Sequence, residues 1–143
     1  GILPPDGKKF VISCGNLGYL PQKNYAFRMS VKDNLMLNGA DTKRAERLMH
    51  ALQIQHLQHK RDDRLSGGAT ARMALARIMM KPYDVLILDE PTAGLDPAGR
   101  NDILSCIKNL HTQKGITVIL VSHSMEDIAN FAHKINAVSM MIN

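Results

Sequence analysis

No apolar run in this chain approaches the ~20 residues needed to cross a bilayer as a helix, and its first residues lack the basic stretch and apolar core of a secretory leader. Cysteine is scarce. Cys14 and Cys106 have no C-x-x-C spacing and lie in apolar or mixed surroundings, so they read as buried free thiols of a reducing compartment. Aromatic residues make up only 4%, no basic run is interleaved with them, and "KRDDR" mixes signs at close range. A net charge of +5 scattered in this way is not a nucleic-acid footprint, and no nucleic-acid partner is expected. Repeats and low-complexity segments are also missing. What is present is the ordinary composition of a globular protein, 45% hydrophobic and 22% charged, in 143 residues, enough for one domain with a sizeable core. Gly1 in place of methionine leads to the expectation that the numbering begins inside a longer chain.

The pattern of apolar residues sets the expected elements. "KKFVIS" (8–13) and "LGYL" (17–20) read as short strands around a turn at Gly15-Asn16. "VKDNLML" (31–37) is a short helix of one or two turns. Asp41 is positioned to cap a helix in which Ala45, Leu48, Met49 and Leu52 share a face. Residues 56–64 are polar and irregular. Ser66 stands ahead of a further helix with Ala71, Ala74, Leu75, Ile78 and Met79 on one side, ended by Pro82. "DVLILDE" is a continuous apolar run of the sort buried in parallel sheets. Pro97 opens a helix with Ile103, Leu104, Ile107 and Leu110 on one face, and Gly115 stops it. "TVILVS", "MEDIANFAH" and "INAVSM" complete a strand–helix–strand series. That alternation implies α/β architecture around a parallel sheet, with residues 23–80 as a mainly helical lobe.

Four stretches carry chemistry. The strand "VLILDE" ends in Asp89 and Glu90, and ligands of parallel sheets bind beyond the carboxyl ends of the strands. Asp89 is suited to Mg²⁺, a hard ion that prefers oxygen. Glu90 is a candidate base for an attacking water. In "RLSGGATAR", Ser66 can cap the following helix while Gly67 and Gly68 let the backbone approach an anion. "PTAGLD" is a turn of small residues that brings Asp96 next to the site. In "VILVSHS", His123 follows a buried strand and could reach a phosphate oxygen. Each stretch alone also has a plain structural reading: a strand-end cap, a loop-to-helix junction, a turn, a structural histidine.

In this order and spacing the stretches resemble the nucleotide-binding subunit of ATP-binding-cassette (ABC) transporters. "LSGG" at 65–68 matches the family signature, "VLILDE" at 85–90 the Walker B strand, "AGLD" at 93–96 the D-loop, His123 the switch histidine, and "GYLPQ" at 18–22 the strand into the Q-loop with Gln22 as its glutamine. The resemblance implies a P-loop NTPase-like parallel sheet with helices on both faces plus a helical lobe. Residues 1–22 would lead to the Q-loop, 23–80 form the signature lobe, and 81–143 hold the Walker B, D-loop and switch part of the core. It implies ATP and Mg²⁺ as ligands, and a homo- or heterodimer of nucleotide-binding subunits with two ATP molecules between them. Gln22 would sense Mg²⁺ and water, and Asp89 would hold the metal. Ser66 and Gly68 would bind the γ-phosphate across the interface, with Gly67 between them in the ATP-binding set; Glu90 would polarise the water, His123 hold the phosphate, and Asp96 couple the two sites. Transmembrane permease subunits would dock on the helical lobe, at the cytoplasmic face of the cell membrane.

The opening "GILPPDGKK" is not the family's phosphate loop. That loop needs G-x-x-x-x-G-K-[ST]; Gly1 and Gly7 are one residue too far apart, Lys9 stands where a hydroxyl belongs, and Pro4 and Pro5 remove two amide donors. The family's stretch after the Walker A helix fits better, so the N-terminal strands and the P-loop are expected to lie upstream and the chain to be a partial cassette. Ala69 is a second departure, since the family commonly has glutamine or glutamate there; Arg72 and Arg77 keep its basic positions. The short segment after Gln22 resembles importers of small ions such as metals or oxyanions. Two alternatives stay open: a soluble ABC-type ATPase, and a non-catalytic cassette that lends only its signature to a partner's site.

Overall fold

The computed structural model describes residues 15–23 and 26–132. The expected strands at 8–13 and 135–140, the "GILPPDGKK" stretch and Cys14 lie outside the described residues. Within them run β1 (Leu17–Leu20), α1 (Val31–Met36), α2 (Thr42–Ala51), two single 3₁₀ turns (Gln55–Leu57 and Asp62–Arg64), α3 (Gly67–Ile78), β2 (Val85–Asp89), α4 (Pro97–Lys114), β3 (Thr117–Val121) and α5 (Met125–Ala132). The strands form a parallel sheet in the order β1-β2-β3. Leu20 pairs with Leu88, and Leu88 with Leu120. Residues just past these positions therefore collect at one end of the sheet: Gln22 after β1, Glu90 after β2, His123 after β3.

Each helix starts where a short polar side chain can serve amides that the first turn leaves without partners. Ser30 accepts from the Asp33 amide, Asp41 from Arg44, Ser66 from Ala69 and Asp96 from Gly99. Pro97 at the first position of α4 suits a helix start, and Gly115, at φ 66, supplies the left-handed residue that closes its other end. The helix α3 ends at Ile78, a turn before Pro82. Proline disfavours helical geometry at the residue before it, and the chain tightens early into 3₁₀-type bonds, Met80 N–H to Arg77 O and Lys81 N–H to Ile78 O. Its last carbonyls are taken up from outside: Asn38 Nδ2 donates to Arg77 O and Arg44 Nε to Met79 O.

One apolar core joins the helical segment to the sheet, running from Leu35, Leu48 and Met49 through Leu75 to Leu88 and Ile107. The expected apolar face of α3 is too narrow: Met73 and Ala76 are buried as well, because α3 is packed against α1, α2, α4 and β1 at once. The strand β2 is buried nearly throughout, as its continuous apolar run implies, whereas β1 alternates, with Leu17 and Tyr19 exposed. No helix among the described residues is long and apolar enough to cross a membrane.

The stretch 27–30 is held to the helices by a polar clamp. Asn34 on α1 is fully buried. Its Oδ1 accepts the Phe27 amide and an Arg77 Nη1 donor, while its Nδ2 faces the carbonyls of Phe27, Met29 and Ser30. The Arg77 guanidinium also lies 5.6 Å over the Phe27 ring, and its burial lowers its pKa from the ordinary value. Removing the clamp leaves several buried polar groups unpaired. Asn34→Ala is expected to destabilise the fold by about 3 kcal/mol, read as a lowered urea midpoint at unchanged slope; an unshifted midpoint would remove Asn34 from the account.

Candidate functional site

The central strand delivers two carboxylates to the open end of the sheet. Asp89, its last residue, accepts the Tyr19 hydroxyl on Oδ2 at 3.1 Å. Glu90 follows in the left-handed region at φ 48, a conformation that costs a non-glycine residue on the order of 1 kcal/mol. It is held there because its amide continues the ladder to Val121 O at 2.8 Å. The turn aims the carboxylate back at the segment leaving β3. Glu90 Oε1 accepts the His123 amide at 2.6 Å, and His123 Nε2 lies 3.5 Å away. The Glu90 side chain is 11% exposed and that of His123 74%. A nearly buried carboxylate is thus fixed at a mouth whose outer lip is an accessible imidazole. Gln22 is exposed beyond β1 at the same end.

The second group gathers around the start of α3. The Ser66 hydroxyl accepts the Ala69 amide at 3.1 Å, and its carbonyl takes both the amide and the hydroxyl of Thr70. The amides of Gly67 and Gly68 are first-turn donors with no intrahelical partner. A side chain at Gly67 would press on Leu95 at 3.3 Å, while Gly68 faces open space. In front of them is a cavity of about 570 Å³ lined by Ser66, Gly67, Ala69, Arg72, Asp96 and Asp102, among others. Two of the lining residues pair with each other: Arg72 Nη2 lies 2.8 Å from Asp102 Oδ2, and among the described residues the buried Arg72 Nε has no hydrogen-bond partner. Asp96 spends Oδ1 on the Gly99 amide at 2.7 Å.

The expected residues therefore fall into two groups. Gln22, Asp89, Glu90 and His123 meet at the strand ends; Ser66, Gly67, Gly68 and Asp96 meet at the cavity. Among the described residues no hydrogen bond or ion pair joins the groups, and the turn 91–95 connects them along the chain. Three contributors went unread in the sequence. Tyr19 had no signal beyond its place in "GYLPQ". Thr92 and Asp127 are nearly completely buried and bonded to each other; the only hint was a polar residue in "DEPT" and an acidic one in "MEDIANFAH". Cys106 is a half-buried free thiol whose pKa burial raises.

Among the described residues no three carboxylate, cysteine or histidine groups converge as a metal cage. Mg²⁺ does not require one, since it takes one or two carboxylates and completes its shell with phosphate oxygens and water. Asp89, half-buried and with Oδ2 accepting the Tyr19 phenol, fits that demand. The free amides at Gly67 and Gly68, at the positive end of α3, fit a phosphate oxygen.

A model described as ABC transporter matches residues 6–93, and an AAA domain model matches residues 69–127. The energy-coupling factor transporter ATP-binding protein EcfA2 of Clostridium tetani is 48% identical over 105 residues, covering 71% of this chain and 36% of that protein. The protein of the same name from Listeria welshimeri is 55% identical over 71 residues, 50% of this chain and 25% of its own length. Among solved structures, cbiO1 from Clostridium perfringens, part of the ABC transporter complex cbiONQ, superimposes with a TM-score of 0.75 at 30% identity, over 81% of this chain and 50% of that one. The chain spans well under half the length of these curated relatives.

The Asp89 contact raises the Tyr19 phenol above its ordinary value, first through the hydrogen bond and then through partial burial and the carboxylate charge. The folded value is the higher one, so the contact's contribution to stability is complete below the unfolded phenol's pKa and is lost as pH rises through the folded value. Asp89→Asn is expected to bring the Tyr19 midpoint down toward that of a free phenol, followed by NMR of the labelled ring; identical midpoints in the two proteins would mean the contact does not exist in solution.

Proposed function

The chain belongs to the ABC transporter family, and from that premise we propose that it forms part of an ATP-binding and ATP-hydrolysing transporter subunit, one half of a dimer that holds two ATP molecules between its signature and strand-end surfaces. The observation that carries the reading is Glu90: a nearly buried carboxylate held by the main chain of a neighbouring segment, with Asp89 before it and the His123 ring within 3.5 Å. The relatives named as ATP-binding proteins of energy-coupling factor transporters support a transporter subunit over a soluble ATPase.

The proposed chemistry is positioning with charge stabilisation. Glu90 accepts a proton from a water as that water's oxygen attacks the terminal phosphorus of ATP. The bond from phosphorus to the bridging oxygen breaks, and the products are ADP and phosphate. Its carboxylate, held at the strand end by the His123 amide, suits Glu90 to the role of base by position. Gln22 orients the water from the neighbouring strand, and His123, exposed at the lip, holds a terminal phosphate oxygen. Asp89 and Gln22 would hold Mg²⁺, which supplies charge neutralisation between the terminal phosphates. Ser66, Gly67 and Gly68 face the γ-phosphate of the partner subunit's ATP. The Ser66 hydroxyl accepts from Ala69 and keeps its own proton for an anion. Asp96, at the cavity rim on the same turn that carries Glu90, links the two sites.

Residues 23–80 serve as the lobe on which transmembrane permease subunits dock, which would place the subunit peripherally on the cytoplasmic face of the membrane. The short segment after Gln22 favours import of a small ion. A second reading rests on one feature: no G-x-x-x-x-G-K-[ST] occurs in residues 1–143. These residues by themselves would then lend a signature surface to a partner's site without catalysing hydrolysis. In the whole protein, Glu90→Gln is expected to lower ATP turnover at least ~100-fold while Mg-ATP binding, followed by calorimetry, is retained. Turnover that survives the substitution would take Glu90 out of the reaction.

A further inference from the structure

The carboxylate of Glu90 is held by the amide of His123, on a different segment of the chain, so its aim depends on whatever ties that segment to the turn after Glu90. The tie is buried. Two residues past Glu90, Thr92 Oγ1 donates to Asp127 Oδ2 at 2.6 Å, with the two residues 4% and 3% exposed. Arg100 on α4 places Nη2 3.3 Å from the same oxygen. From Asp127 the connections run back toward Glu90: the Asp127 amide donates to Ser124 Oγ at 3.2 Å, the Ser124 amide to Ser122 Oγ at 3.0 Å, and the His123 amide between them to Glu90 Oε1 at 2.6 Å. The circuit closes on itself through Pro91.

One detail separates this arrangement from an ordinary helix start. Ser124 and Asp127 stand at the spacing of a capping box, in which the acidic side chain turns back to the amide of the capping residue. Here that amide is served by Ser122 instead, and the Asp127 side chain is turned to Thr92 and Arg100. A carboxylate this buried requires paired charge and hydrogen bonds. Both come from the far side of the site: the hydroxyl from the Glu90 turn, the charge from the first turn of α4.

We propose that Asp127, acting through Thr92, is a positioning residue for ATP hydrolysis: it sets the spacing between the 90–92 turn and the 122–124 segment, and so the direction in which Glu90 points. The proposal rests on the reading above that Glu90 activates the water. In the whole protein, Thr92→Val removes the hydroxyl at nearly constant shape. It is expected to lower kcat for ATP at least tenfold with KM within twofold, and Thr92→Ser to restore kcat to within threefold. In the nucleotide-free protein, the His123 amide should exchange with solvent at least tenfold faster in Thr92→Val and at the native rate in Thr92→Ser. A lowered melting temperature with unchanged kcat and unchanged His123 exchange would overturn the proposal, leaving the contact structural only. Should Thr92→Val fail to fold, Arg100→Gln is read the same way: at least threefold losses in kcat and in amide protection support the proposal, and native values overturn it. If the native protein hydrolyses no ATP, the functional reading has failed, and the His123 exchange rates alone decide whether Asp127 holds the segment.

Discussion

The parallel pairing of β2 with a strand on each side is the constraint on which the site depends. Parallel strands send their carboxyl ends the same way, so loops from three distant stretches of chain open at one edge. The in-register matches of Leu20 with Leu88 and of Leu88 with Leu120 bring Gln22, Glu90 and His123 to nearly the same height. A slip of one residue in the β1 pairing would also turn its buried Gly18 and Leu20 to the exposed face of that strand, so the register that builds the core is the register that builds the site. The bond from the Glu90 amide to Val121 extends the ladder one residue past the strand and holds Glu90 in its left-handed turn.

Helix ends supply the rest of the polar architecture, and several are used twice. Ser66 caps α3 and Asp96 caps α4, and both line the same cavity. An isolated helix start needs only an acceptor, yet these two sit where unpaired first-turn amides face a cavity wide enough for a phosphate group. Ala69, in place of the family's longer polar residue, lines that cavity without adding a donor or acceptor of its own. The ion pair of Arg72 with Asp102 is part of the same lining, and an anion entering there would compete with Asp102 for the guanidinium.

Local chemistry made much of this readable in advance. Ser66 and Asp41 as caps, Pro97 and Gly115 as the ends of α4, and "VLILD" as a buried strand all follow from residue type and spacing, because each depends on neighbours within a turn or on a periodic face. The misses share a different cause. Pro82 reads as the end of α3, but the helix closes at Ile78, where the chain tightens into 3₁₀-type bonds a turn earlier. Met73 and Ala76 looked peripheral until α3 was packed on four elements at once. Asn34 and Asp127 each look like a solvated polar residue on a short amphipathic helix; both are buried, with Arg77 among the partners of Asn34 and Thr92 and Arg100 among those of Asp127.

The order of the motifs, the residue types at the strand and helix ends, and hence the family and the chemistry it implies were determined by the sequence alone. Those features are written in short stretches whose meaning survives in any surroundings. The tertiary structure alone decided which of those residues stand together: that Glu90, not Asp89, meets His123, that Asp89 is paired with Tyr19, and that Thr92 and Asp127 form a buried pair with the partly exposed Arg100 against it. A hydrogen bond between residues dozens of positions apart has no local signature, because its energy depends on a distance that only the packed sheet and helices set.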